Sequence, residues 1–585
     1  MMYKPKDWTV DYFVANEVEC LKILDHPDAL KEIPLLNSNL LEHFKHGQLV
    51  RFQGMLQDMH NPELFFKSYQ VVDKATGEVS TRCGMYKDGA SCQKHEEILS
   101  DSSNNETSER QTWFVISTPG LNDWAKEECS TVLEHDVTHE SQATCLSNKR
   151  SLDETDEPMD CSEPAKKKEK VDTNDREAGP SQPNGNSTSS LIVSRDHLLN
   201  FPIPNENGKS CLVKVYKESP FKLNQIVDII GFVSLDLTAS YNYSSDEIDN
   251  SMEMQTHHPP ASLVPRLHAV KVTKELNNRF PDAAEVLATA ESVRGDLRVV
   301  LTQLLFGDEI AADYLICHLI SSVYVRKDCL SLGAFALNIT NFPVECETFT
   351  KDFYDIVKEI IAKSYFLNIT LTNLNDLNFV PKKDYECDRL TSGVLQLSNN
   401  THLILDETKL VTGQLTTSGT LNYKSISDLI QFQKLSYDFK FYTIDYETDI
   451  PILILSTTKS FIPCEFQVVL KPDPGTVKIY PQVLEAAKQY MKNGTRINNL
   501  RAYVNALKNA VFSFSEETLS IIQEDFVRLR QADGKFSADN LHSLLVLTRL
   551  MSLSYGLNTL KPEIWKKSVE MEIERTSRLP KRRRN

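Results

Sequence analysis

Between about residues 285 and 472 the chain alternates apolar stretches of helical and strand period, and no other feature restricts its fold as much. Leu315, Ile316, Leu319, Ile320 and Val323 form a helical stripe, and Phe335-Ala336-Leu337-Asn338-Ile339 reads as a strand. Residues 349–362 are helical again and 366–371 return to strand. Such alternation leaves each helix as a crossover between strands running the same way. The stretch is therefore expected to be an α/β domain with a largely parallel sheet.

From about 480 only helical periods remain. Leu500, Tyr503, Val504, Leu507 and Val511 share one face, Leu519, Ile522, Phe526 and Leu529 a second, and Leu541, Leu544 and Leu545 open a third helix. A helical bundle is expected over 480–575, followed by a basic tail at 576–585.

The first half reads differently. Residues 1–130 carry strand-like runs such as Val50-Arg51-Phe52-Gln53-Gly54-Met55-Leu56 and Gln111-Thr112-Trp113-Phe114-Val115-Ile116, and are expected to form an N-terminal β-rich domain. Residues 191–280 contain three more runs, at 211–216, 226–233 and 265–272, and suit a further β domain, either an OB-like barrel or a generic meander. Between them, 131–190 is dominated by Ser, Asn, Asp, Glu, Lys and Pro. It cannot bury enough apolar surface to offset the entropy of ordering, so a disordered linker is expected there.

The 585 residues carry 81 acidic and 64 basic side chains, a formal net charge of −17. That balance argues against a dedicated duplex-DNA binder, whose surface is broadly basic. Two basic features break the pattern. Lys149-Arg150 and Lys166-Lys167-Lys168 lie in the linker, and Lys581-Arg582-Arg583-Arg584 almost ends the chain; clusters of this kind in flexible segments are read by nuclear-import receptors. The 12 cysteines are spread without a CxxC pair, and Cys92 and His95 lack a second ligand pair, so no metal site is expected. No run approaches 18 apolar residues, so no membrane span is expected either.

Several motifs resemble the ATP site of MCM-type helicases with its chemistry removed. Gly307-Asp308-Glu309-Ile310-Ala311-Ala312-Asp313-Tyr314-Leu315 resembles the phosphate loop G-D-P-x-x-A-K-S-x-L, with Asp313 at the lysine position and Tyr314 at the Mg²⁺-holding hydroxyl. A carboxylate there repels phosphate; the competing reading is that Gly307-Asp308 simply caps a helix. Gly393-Val394-Leu395-Gln396-Leu397-Ser398-Asn399-Asn400-Thr401-His402-Leu403-Ile404-Leu405-Asp406-Glu407 follows the helicase run that ends in the acidic pair for Mg²⁺ and water. It is expected to form two short strands around a polar turn. The strand ending Ser456-Thr457-Thr458 lies where a sensor strand ends, Glu465 replaces the arginine finger, and Asp539 replaces the second sensor arginine.

Longer stretches identify the chain as a member of the MCM-binding protein family. They are Phe52-Gln53-Gly54-Met55-Leu56-Gln57-Asp58-Met59, Glu109-Arg110-Gln111-Thr112, His258-Pro259-Pro260-Ala261-Ser262-Leu263-Val264-Pro265-Arg266 and Pro381-Lys382-Lys383-Asp384-Tyr385. The resemblance implies a nuclear, non-catalytic partner of MCM helicase subunits that influences helicase assembly and unloading, with a link to sister-chromatid cohesion. It implies no catalytic residue, cofactor or small-molecule substrate, and only indirect association with chromatin.

The motifs themselves suggest a degenerate AAA+-like core over 285–472 with the bundle as its lid. Two other readings stand beside it. Asp406-Glu407 would suit a residual nucleotide binder or slow ATPase. The β regions would suit a single-strand nucleic-acid module, although the run 226–233 offers only Phe232 for stacking and no cation.

Overall fold

The computed structural model describes residues 4–131, 193–235, 252–274, 283–327, 330–532, 534 and 536–580. It is a mixed α/β structure with a β-rich sheet in the N-terminal half, a parallel sheet in the core and helices towards the C-terminus. The clusters Lys149, Arg150, Lys166, Lys167, Lys168 and Lys581, Arg582, Arg583, Arg584 lie outside the described residues.

Short helices, Val10–Ala15, Glu17–Leu24 and Pro27–Lys31, precede the first strand, so the N-terminal segment is not β structure throughout. The long strand Leu49–Asp73 then organises the sheet. Its first third pairs with Ile226–Ser234, its middle with Glu106–Ile116, and its end with Val79–Cys83 and Glu96–Ile98. Glu106–Ile116 continues to Ser210–Val215, which pairs in parallel with Arg266–Lys274, and that strand pairs with Ile226–Ser234. Five strands thus close a ring.

This arrangement corrects the expected boundary. Strands from 1–131 and from 193–274 complete one another's hydrogen bonds, so they are one unit and not two β domains. Trp113, Val115, Val213, Ile229 and Leu267 share its core. A polar insertion interrupts the sequence without interrupting the ladder, because an unpaired edge at Glu106–Ile116 would leave a row of backbone groups unsatisfied.

The second sheet runs Ser364–Asn368, His402–Asp406, Ile452–Ser456, Leu337–Thr340, Phe466–Val469, all parallel. Numbered by position in the chain, the spatial order is 2-3-4-1-5. The three central strands are buried throughout, which explains their unbroken apolar runs. Helix Phe349–Ile360 covers one face with Phe349, Phe353, Ile356, Val357 and Ile360, spaced as an amphipathic stripe requires. The run Gly393 to Ser398 is not a strand. A Cβ on Gly393 would fall 2.5 Å from the Val380 carbonyl carbon, so this segment turns against residues 378–380, where Val394 N and Leu395 N donate to Asn378 O and Phe379 O, and it buries Val394, Leu395 and Leu397.

The expected boundary between core and bundle is not a boundary in packing. Leu301, Tyr314, Leu337 and Phe353 share one continuous apolar cluster with Tyr503, Leu547 and Trp565. The five helices Tyr480–Met491, Gly494–Lys508, Glu516–Ala532, Ala538–Ser554 and Pro562–Ser577 are thus part of the core.

The ring and the parallel sheet are also joined by buried polar contacts. Leu390 N donates to Asp58 Oδ2 (2.8 Å), Gln396 Nε2 to Gln57 O (3.1 Å) and Asn224 Nδ2 to Tyr437 Oη (2.6 Å). After Glu106–Ile116 the chain crosses to the sheet's edge strand, where Ser364 N donates to Gly120 O and Arg501 stacks 3.8 Å above the Trp124 ring.

Candidate functional site

In an open parallel sheet, ligands bind beyond the carboxyl ends of the strands, and phosphates rest where the first strand turns into its helix. Here that turn is 341–348, between Leu337–Thr340 and Phe349–Ile360. The helix begins with a buried phenylalanine. Phe349 packs with ring centroids 5.1 Å from Phe306, 4.6 Å from Phe342 and 5.6 Å from Phe353. Tyr480 lies 4.6 Å from Phe306 on the same cluster. An anion approaching this helix start would meet aromatic carbon.

Asp406 ends the third strand and is fully buried. Its Oδ2 accepts from Thr350 Oγ1 (3.0 Å), and its Oδ1 accepts from Thr408 N (3.0 Å) and Thr408 Oγ1 (2.6 Å). Glu407 accepts from Ser460 Oγ (2.8 Å), Phe461 N (3.0 Å) and Ile462 N (3.3 Å). Burial pushes its carboxyl up from the ordinary range, and those three donors oppose the shift. Both carboxylates are committed to donors of the chain itself, which leaves a Mg²⁺ ion no open face of ligands.

Gly307, Asp313 and Tyr314 are not at this strand-to-helix turn, and their expected place in a degenerate phosphate loop is corrected. They follow helix Ala283–Leu304 and not a strand. Gly307 takes φ +87° in the turn between two helices, and Asp308 caps the second by accepting from Ala311 N (3.2 Å). Asp313 points into the core, 2.5 Å from Arg294 Nη2 and 3.0 Å from Arg298 Nε. Tyr314 Oη donates to Glu572 Oε2 (2.8 Å), and burial raises its phenol. The capping reading of Gly307-Asp308 is the one that fits. The motif misled because glycine before an apolar helix serves a cap and a phosphate loop equally well.

Glu465 and Asp539 do lie on one patch. Asp539 is exposed in the first turn of Ala538–Ser554, and Ser543, one turn further, donates to Glu465 Oε1. Burial raises the Glu465 carboxyl, with Glu572 and Asp539 adding and Arg575 opposing. The positions matched to two arginines are thus jointly acidic. Ser456 Oγ lies 3.0 Å from Asn338 Oδ1, tying the fourth strand to the first. On the ring, Phe232 is buried against Phe13 (5.8 Å), so it offers no stacking surface.

Thr350 and Phe349 escaped the sequence reading. Their signal was present: a strand at 335–339 followed by a helix from 349 already marks the first strand-to-helix turn, and the third strand ends in an acid.

Comparison with known proteins agrees in extent. A family model described as "Mini-chromosome maintenance replisome factor" matches residues 20–579. The mini-chromosome maintenance complex-binding protein of Drosophila melanogaster is 38% identical over 580 residues, covering 97% of this chain and 95% of the relative. Those of Danio rerio and Homo sapiens are each 35% identical, each covering 98% of this chain and 94% of the relative. Among the described residues, no helix is long and apolar enough to cross a membrane.

Proposed function

The chain belongs to the mini-chromosome maintenance complex-binding protein family, and from that membership we propose a nuclear, non-catalytic protein that binds MCM helicase subunits. It regulates assembly or unloading of their complex during DNA replication, with a link to sister-chromatid cohesion, and reaches chromatin through those subunits. The parallel-sheet order 2-3-4-1-5 is that of an AAA+ ATPase core, and the five-strand ring has the order and the single parallel pair of an OB barrel. The protein is then a pseudo-ATPase, shaped like its partners and idle as an enzyme.

One observation carries the non-catalytic part: Asp406 is closed by Thr350 and Thr408 while Phe349 fills the helix start. A subunit mimic with such a site would hold its partner through apolar and aromatic anchors, independently of nucleotide. The linker and tail clusters serve nuclear import; neutralising Lys166, Lys167, Lys168 and Lys581, Arg582, Arg583, Arg584 moves the protein to the cytoplasm, and unchanged nuclear fluorescence would reject that role. The full chain is expected to capture MCM subunits equally with ATP, with ADP and without nucleotide. Capture that requires ATP, or saturable micromolar ATP binding lost on Asp406→Asn, would instead favour a residual ATPase.

A further inference from the structure

Where the ring meets the α/β half, three segments distant in sequence bring metal-ligating side chains to one point. Glu253 and His257 stand one turn apart on helix Met252–His257, in the connection between Ile226–Ser234 and Arg266–Lys274, so they face the same way. Asp388 lies in the turn joining Lys382–Asp384 to Arg389–Thr391, at φ +44°. One ligand atom from each lies within 4.8 Å of the other two.

The surroundings are those of a prepared ligand set. His257 Nε2 lies 3.0 Å from the Cys387 carbonyl, which fixes that nitrogen as the N–H donor and leaves Nδ1 as the ring's lone pair. Asp388 gives Oδ1 to Lys383 Nζ (2.7 Å), while its Oδ2 meets the amide of exposed Asn61 at 3.2 Å, a contact a cation can displace.

A second observation is independent of these three residues. His60, on the strand Leu49–Asp73, has a side chain only 6% exposed, and its Nε2 is buried without a hydrogen-bond partner. The nearest acidic oxygen, Asp58 Oδ2, is 3.8 Å away, too far for a hydrogen bond. The His60 ring stands edge-on to His257 with centroids 4.6 Å apart. Buried polar nitrogens are almost always satisfied, so an orphan beside a Glu-His-Asp group points to a missing ligand.

We propose that Glu253, His257 and Asp388 form a Zn²⁺ site, with water in its fourth position, that ties the ring to the 382–391 hairpin. One imidazole with two carboxylates and a water suits zinc at four-coordinate geometry, whereas Mg²⁺ and Ca²⁺ favour oxygen alone. The site is separate from the Asp406 region and does not depend on the function proposed above.

The test uses the full chain, stripped with EDTA, dialysed and titrated with zinc chloride by calorimetry. Expected are one saturable site per chain and a rise in melting temperature. Replacing zinc with Co²⁺ should give the visible d–d bands of tetrahedral coordination. His257→Ala and Asp388→Asn should each weaken binding at least about 10-fold. Glu253→Gln, at an exposed position, should weaken binding while leaving the melting temperature in EDTA unchanged, so a folding defect cannot account for the loss. Absence of one-to-one binding, or wild-type affinity in the Glu253 and His257 variants, overturns the site.

Discussion

Thr350 Oγ1 donates to Asp406 Oδ2 across 3.0 Å, joining the helix after the first parallel strand to the end of the third. In a working ATP site a hydroxyl and a carboxylate so placed would share a Mg²⁺ ion. Here they satisfy each other, and the residue beside the hydroxyl is aromatic.

Phe349→Lys should therefore disrupt the fold before it restores any chemistry. The substitution removes a core ring and places an ammonium among Phe306, Phe342 and Phe353. Loss of the ring alone costs about 3–5 kcal/mol. Thermal melting should show a large drop, and a phosphate-release assay should show no turnover; hydrolysis by a folded variant would contradict the aromatic block.

Asp313→Ala should destabilise strongly although it touches no site. It leaves Arg294, almost wholly buried, without its carboxylate. Breaking one side of a buried pair costs about 3–5 kcal/mol. Urea denaturation monitored by far-UV circular dichroism measures this, and a change below about 1 kcal/mol would mean that the charge is relieved by water or by Ser554.

Stability should rise with pH above neutrality because of Lys508. The side chain is half-buried where helix Gly494–Lys508 ends, its Nζ 2.7 Å from His402 Nε2, and desolvation pushes its ammonium down to about 7. An unfolded lysine titrates near ~10.4. Between those values the unfolded chain binds the extra proton, so unfolding free energy increases as pH rises through this window. Burial also lowers His318, to about 4, and His402, well below its ordinary value. These neutral rings make stability fall as pH drops from about 6.5 towards 4. Melting temperatures from about pH 7 to about pH 10 should climb in the wild type and flatten in Lys508→Met.

Cutting the chain between 131 and 193 should yield pieces that need each other. Residues 1–131 hold two ring strands and 193–585 the other three, and Glu106–Ile116 pairs with Ser210–Val215 across the cut. Coexpressed pieces should co-purify, whereas 1–131 alone should show no cooperative melt. A sharp independent transition for 1–131 would restore the two-domain division.

Periodicity made much of this legible. The stripe of Phe349, Phe353, Ile356, Val357 and Ile360 and the apolar run of Ile452–Ser456 announced a helix and a buried strand, and Asp406 fell at a strand end as its motif implied. Gly307, Asp313 and Tyr314 did not transfer, since a short motif does not record which element precedes it in space.

The sequence by itself determined the type of most elements, the α/β character of the second half and the family, because hydrophobic period and long motif runs are properties of neighbouring residues. Tertiary structure alone decided that strands on both sides of 131–190 share one ring, that the C-terminal helices share the sheet's core, and that Asp313 and Asp406 are consumed internally. These outcomes depend on which distant group satisfies each buried donor, acceptor or charge. That pairing is fixed only when the chain packs, because leaving any such group unpaired costs more than most local preferences can supply.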